Sequence, residues 1–134
     1  MAKKKRKIPL RKIIAKLKRK ADKSLSDYVR MIATEEYGKC PLCGINKIDT
    51  CFHFVTRNRC YLRWSLDNVE GTCRNCNLLE NFWPDLSRAW YIRRHGVDAY
   101  LKLVEDSKQS FTPTAEYLEN VIATYTILRI FKPR

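Results

Sequence analysis

Apolar residues recur at helical spacing towards both ends of the chain and lose that spacing in its middle. Ile13, Ile14, Leu17 and Ala21 fall on one side of a helix whose first turn Pro9 can occupy, while Lys12, Lys16, Arg19, Lys20 and Lys23 cover the remainder. Ser24 with Asp27 three residues on has the form of a reciprocal N-terminal cap. A second helix is therefore expected through Leu25, Tyr28, Val29, Ile32 and Ala33, with Gly38 as its stop. In residues 45–56, Ile45, Ile48, Phe52, Phe54 and Val55 alternate incompletely, which predicts a short strand or hairpin. Residues 57–72 read as a loop crossing. A helix beginning at Cys73 and Cys76 would carry Asn77 and Asn81 one turn apart, and Pro84 should end or redirect it. Leu86, Ala89, Trp90, Ile92 and Arg93 predict another helix stopping near Gly96, followed by one from Asp98 towards Glu105. Thr112 and Pro113 open a last one through Tyr117, Leu118, Val121, Ile122, Tyr125 and Leu128. Trp64 and Phe82 are expected core anchors, because a small fold needs large apolar surfaces.

With 134 residues there is room for one modest domain with extensions, which excludes a Rossmann pair or a TIM barrel. Mixed helical and extended segments predict a small α+β fold. Charge then divides the chain. The net charge is +13, yet residues 1–23 hold 12 basic residues and a single acid. Such an end seeks a polyanion, and nucleic acid is the commonest. Lys3, Lys4, Lys5, Arg6, Lys7, Arg11, Lys12, Lys16, Arg19 and Lys20 are the candidate phosphate contacts in this arm, with Arg57, Arg59 and Arg63 further on. The expected organisation is a basic arm and helix at 1–23, a central domain at 24–109 and a C-terminal helix at 110–134. No run of about 20 apolar residues exists, so no membrane span is expected. The basic start lacks the apolar stretch and cleavage site of a signal peptide.

Four of the six cysteines form two CxxC pairs, Cys40/Cys43 and Cys73/Cys76, separated by 29 residues. Without an export signal this spacing points to zinc rather than to three disulfides. Four thiolates fill a tetrahedral shell and leave no place for water, so the zinc is expected to be structural. Chemistry is sought inside the loop. His53 lies in Cys51-Phe52-His53-Phe54, with Arg57 four residues beyond, and an imidazole near neutral pKa can activate water. Asn68 is a candidate to hold a loop or to accept the ring proton of His53. The side-chain oxygens of Asn77 and Asn81 are candidates to hold Mg against a phosphate. His95, after Arg93 and Arg94 and before Gly96, suits a cationic helix end, and Asp67 suits a turn or a pair with Arg63.

The segment from Cys40 to Asn81 resembles a zinc-stabilised HNH, or ββα-metal, nuclease domain, in which His-Phe-x-x-Arg precedes Leu-Arg-Trp, an Asp-Asn pair and Cys-x-x-Cys-Asn. It is most similar to the phage NinG/Rap recombination endonucleases, and the likeness extends through Trp90–Gly96 to Leu103-Val104-Glu105. The resemblance implies a zinc-stabilised HNH core flanked by N- and C-terminal helices, occupying the central domain. It implies a general base at His53, the middle Asn of the motif at Asn68, and metal-facing positions at Asn77 and Asn81. Many relatives place an acidic residue or His immediately before the base, where this chain has Phe52. Asp49 or Cys51 would then compensate through a local bulge, and Asp49 is preferred because Mg favours carboxylate oxygen over sulfur.

The implied activity is Mg- or Mn-dependent hydrolysis of DNA phosphodiesters, in branched or Holliday-junction-like recombination intermediates, leaving 3′-hydroxyl and 5′-phosphate ends. The implied setting is the cytoplasm of a phage-infected or prophage-bearing bacterium. Symmetric junction cutting would favour a homodimer. Two other classes compete with this expectation: a non-catalytic zinc-bearing DNA-binding protein, in which Phe52 marks a lost metal site, and an RNA-binding protein, since a basic arm does not distinguish the sugar.

Overall fold

The computed structural model describes residues 2–80 and 84–131. Asn81 and Phe82, expected as a metal-facing residue and a core anchor, lie outside the described residues. The fold is small α+β, with six α-helices and one two-stranded sheet among the described residues.

Helix α1 spans Leu10–Tyr37 and, at 28 residues, is about 42 Å long. Pro9 sits just before it as the N-cap residue, its carbonyl accepting from the amides of Lys12 and Ile13. The expected break at Ser24 does not occur. A cap forms only where the chain enters a helix from outside, and the stripe of Ala21, Leu25, Tyr28, Val29 and Ala33 is buried without interruption. The expected border between arm and central domain thus falls within one rod. Asp27 instead accepts from Lys23 at 2.8 Å, Arg30 at 2.6 Å and Arg129 at 3.0 Å. At Gly38, φ of 75° ends the helix, and its amide donates to the Thr34 carbonyl.

Strand β1, Thr50–His53, pairs antiparallel with β2, Val69–Thr72, in the register Thr50 to Thr72 and His53 to Val69. Of the short strand or hairpin expected within residues 45–56, the strand is found, and its partner comes from the segment expected to be loop. That segment also holds the one-turn helix α2, Cys60–Arg63, and a 3-10 turn at Leu66–Asn68. Helix α1 crosses β2 so closely that a Cβ on Gly71 would lie 2.6 Å from Ala33 Cβ and 3.2 Å from the Val29 carbonyl oxygen. Only glycine admits that approach.

Helix α3, Arg74–Leu79, follows β2, and α4 (Pro84–His95), α5 (Val97–Asp106) and α6 (Ala115–Phe131) complete the chain. Helix α6 begins later than Thr112 and Pro113 suggest, because the Thr114 hydroxyl takes the Tyr117 amide at 3.1 Å. Its Leu118, Val121 and Tyr125 pack with Ala21, Leu25, Tyr28 and Val29 of α1 and with Trp64 and Val69. The Tyr125 hydroxyl donates to the Trp64 carbonyl at 2.6 Å, so Trp64 is a core anchor as expected. A second apolar cluster, Leu62, Tyr91 and Leu103, joins α2, α4 and α5 beside Phe54 and Val55. Fully burying each such side chain contributes about 1.5–3 kcal/mol. No helix among the described residues is long and apolar enough to cross a membrane.

Candidate functional site

The two CxxC pairs meet. The Sγ atoms of Cys40, Cys43, Cys73 and Cys76 all lie within 4.8 Å of one another. Cys43 and Cys73 are 3.8 Å apart, the separation that Zn–S bonds of about 2.3 Å impose on a tetrahedron. Local structure builds both halves. Cys40 and Gly44 close a tight turn through the Gly44 amide and the Cys40 carbonyl at 2.7 Å, with Gly44 at φ of 69°. The second pair straddles the start of α3, where Cys73 Sγ accepts from the Cys76 amide at 3.4 Å. Asn46 Nδ2 approaches the same sulfur at 3.6 Å. The cluster can bind zinc, and Ala33 and Ile48 pack against it. In the bare protein burial pushes the Cys40 and Cys76 thiols up, against their ionisation, while a backbone hydrogen bond from Asn46 draws Cys43 down to about 6. A divalent ion relieves that conflict by taking thiolates directly.

A cleft of about 720 Å³ lies between α1, β1 and α3. Cys51 and His53 alternate along β1, so the pleat sends both to one side, and they line the cleft with Asp49, Thr50, Thr56, Arg57 and Asn77. Asp22, Lys23 and Ser26 of α1 and Arg74, Leu78 and Glu80 complete its walls. The paired register covers Thr50 to His53; Asp49 precedes it, and its amide donates at 3.1 Å to the carbonyl of Thr72, the residue that Thr50 faces across the sheet. Asp49 Oδ1 accepts from the Arg74 amide at 2.8 Å, which ties the strand to the first turn of α3. Cys51 is unsuited to a hard cation, since burial pushes its thiol up to about 12 and keeps it protonated.

His53 Nε2 lies 2.9 Å from the Arg63 carbonyl oxygen. A carbonyl only accepts, so Nε2 carries the proton and Nδ1 presents a lone pair. Burial holds the ring below its ordinary value of 6.5, opposed by that hydrogen bond and reinforced by Arg57. The imidazole is therefore neutral at neutral pH. Asn68 does not hold it. That side chain has no exposed surface; its Oδ1 accepts from the Val55 amide at 2.7 Å, and Nδ2 donates to the carbonyls of Val55 and Leu62 at 3.0 and 3.2 Å. Asn68 latches the loop after β1, the first of the two roles its sequence position suggested.

Lys3 to Lys7 and Arg11, Lys12, Lys16, Arg19 and Lys20 are exposed along the N-terminal segment and α1, and Arg57 and Arg59 are exposed beyond β1. Arg63 differs: its guanidinium turns inward to Asp22, at 3.0 and 2.6 Å, and leaves only 17% of the side chain exposed. Asp67 does not pair with it. The Asp67 amide donates to Ser65 Oγ and its carbonyl takes the Tyr91 hydroxyl. His95 closes α4 just before Gly96, as expected; burial and Arg94 lower its pKa, and its ring sits 4.6 Å from that of Tyr91. Asp22, Arg74 and Glu80 escaped sequence reasoning. Only Asp22 carried a signal, as the lone acid in a cationic arm.

Searches against protein-family models, curated proteins and solved structures find no match to this chain.

Proposed function

We propose that this chain is a metal-dependent DNA endonuclease of the HNH kind, with a structural zinc at the four cysteines and His53 as the base that activates water. The observation that carries the reading is the state of His53: a neutral imidazole, its Nε2 proton committed to a main-chain carbonyl, its side chain lining a cleft that also holds Asp49, Asn77 and Arg57. The order of β1, β2 and α3, with the cysteine cluster at the base of α3, supports an HNH core.

Asp49 and Asn77 offer oxygen donors in the same cleft, which suits Mg or Mn, because Mg keeps several waters and needs few protein ligands beside a substrate phosphate. Such an ion would supply positive charge to the phosphate as it becomes pentacovalent. The protein's own part follows from its groups. Nδ1 of His53 takes a proton from water as the water oxygen bonds to phosphorus. The bond from phosphorus to the 3′ oxygen breaks, and the 3′ oxygen is protonated from solvent, leaving 5′-phosphate and 3′-hydroxyl ends. Arg57, 62% exposed at the cleft, is placed to hold a non-bridging oxygen. The exposed cations of α1 anchor the flanking backbone without reading bases. Branched recombination intermediates are the proposed substrate class, on the resemblance.

The test is a cleavage panel of four-way junction, flap, splayed arm, duplex and single-stranded DNA with Mg or Mn, using wild type and His53→Ala. Cutting by the wild type and a loss of roughly 10² to 10⁴-fold in the variant, with binding and zinc content kept, is expected. Equal rates would remove His53 from the chemistry. One observation favours the non-catalytic zinc-bearing DNA-binding reading: among the described residues, only the cysteines form a cluster of three or more His, Cys, Asp or Glu close enough to share an ion. Binding without cutting across the panel would favour that reading, and preference for single-stranded RNA in competition would favour an RNA-binding one.

A further inference from the structure

We propose that Asp22 is a positioning residue for His53: from the N-terminal helix it fixes the segment whose main-chain carbonyl holds the imidazole. The proposal rests on the reading of His53 as the base. Asp22 is the one acid among 12 cations in residues 1–23, and it does not serve to neutralise the arm. One of its oxygens takes Arg63 Nε at 3.0 Å and Trp64 Nε1 at 3.0 Å, and the other takes Arg63 Nη2 at 2.6 Å. A planar fork and an indole N–H thus converge on one carboxylate, a geometry that fixes direction as well as distance.

The carbonyl that receives His53 belongs to Arg63, the last residue of the single-turn helix α2. Carbonyls at a helix C-terminus have no partner within the helix, and a one-turn helix cannot hold its last peptide rigid. Here the peptide is held from outside. Asp22 grips the side chains of both residues that share it, and the carbonyl of the second, Trp64, accepts from Tyr125 at 2.6 Å. His53 then completes the chain of contacts from α1. Because Lys16, Arg19, Lys20 and Lys23 lie on the same helix, a phosphate backbone held by them and the imidazole are referenced to one rigid rod.

The experiment uses the full, zinc-loaded chain as wild type, Asp22→Ala and Asp22→Asn; the asparagine keeps an acceptor for Trp64 and guards against loss of the fold. Proton NMR follows the His53 Nε2–H, which is protected from solvent exchange while it is bonded to Arg63. Single-turnover cleavage at saturating DNA, DNA affinity and zinc content are measured alongside. We expect the Nε2–H resonance to broaden by exchange in Asp22→Ala, with a rate loss of roughly 10 to 100-fold, the usual scale for a group that orients another, unchanged zinc and no loss of affinity, since Arg57, 3.9 Å from the same carboxylate, is released towards the phosphate. Asp22→Asn should show a smaller loss of the same kind. An unchanged Nε2–H resonance, or a cleavage rate within about twofold of wild type, overturns the proposal. If the wild type cuts no DNA, the nuclease reading fails separately, and the Nε2–H resonance still decides whether Asp22 positions the ring.

Discussion

Replacing Asn68 with Ala isolates what this buried asparagine does. The substitution leaves the Val55 amide and the Val55 carbonyl without their partners and takes one of two from the Leu62 carbonyl, which keeps the Ser65 amide at 3.1 Å. Each unsatisfied group in a dry site costs about 1–3 kcal/mol, and partial relaxation or an entering water recovers some of it. A net loss of about 3 kcal/mol is expected, and for a domain this size that lowers Tm by roughly 10 °C. Asn68→Asp refines the test, since its carboxylate still accepts from Val55 but confronts the two carbonyls with negative charge; it should be no more stable than the alanine variant at neutral pH. The assay is urea unfolding at fixed free zinc, because metal release would otherwise break the two-state treatment. Zinc content should be unaffected, the latch being separate from the cysteines. His53 should keep its bond to Arg63, so residual cleavage should exceed that of His53→Ala. A stability loss under about 1 kcal/mol would refute the account of Asn68 as a latch, and a cleavage defect as deep as that of His53→Ala at full stability would return it to the catalytic group.

Three further outcomes are expected. One zinc should bind per chain, and Cys73→Ala or prolonged chelation should unfold the region around β2 and α3, as elemental analysis and thermal unfolding would report. The acid limb of the pH–rate profile should have its midpoint below 6.5, because burial lowers the His53 pKa; the same shift means that His53 lends stability present above 6.5 and lost as pH falls through its folded value, readable by unfolding across pH 5 to 8. Deleting residues 1–20 should weaken binding to every DNA shape and flatten the dependence of log K on log salt by roughly 0.9 for each phosphate contact removed, as titrations over a salt series would show.

Much of this was legible in the sequence because it depends on which residues stand at which spacing. The CxxC pairs announced their cluster, Gly38 and Gly96 fall where helices end, and Pro84 opens α4, after α3 has already stopped at Leu79. Strand β2 was not legible. Val69-Glu70-Gly71-Thr72 has little of a strand's alternation, and Gly71 is there because α1 leaves no room for a side chain. The Ser24 cap misled because the same four residues serve equally well within a helix when their neighbours bury a continuous stripe. The hold on His53 was hidden for another reason. Its partner is a main-chain carbonyl, which every residue owns, so no side-chain pattern could single out Arg63 as the acceptor.

Phe52 shows how the pleat decides which residues can reach a phosphate. Read along the chain, an apolar residue immediately before His53 looks like a missing ligand. In a regular strand, however, adjacent side chains point to opposite faces. Phe52 is turned away and is 1% exposed, its ring 4.9 Å from that of Phe54 in an edge-to-face contact, while His53 looks into the cleft. A carboxylate at position 52 would be buried on the wrong side, at a cost no cation in the cleft could offset. Within the strand, the residue that shares the His53 face is Cys51, which stays protonated, and the nearest acid is Asp49, which reaches the same cleft from just before the strand and is held there by the Arg74 amide. The apolar residue that seemed to weaken the nuclease reading therefore anchors the strand that presents His53 to the cleft.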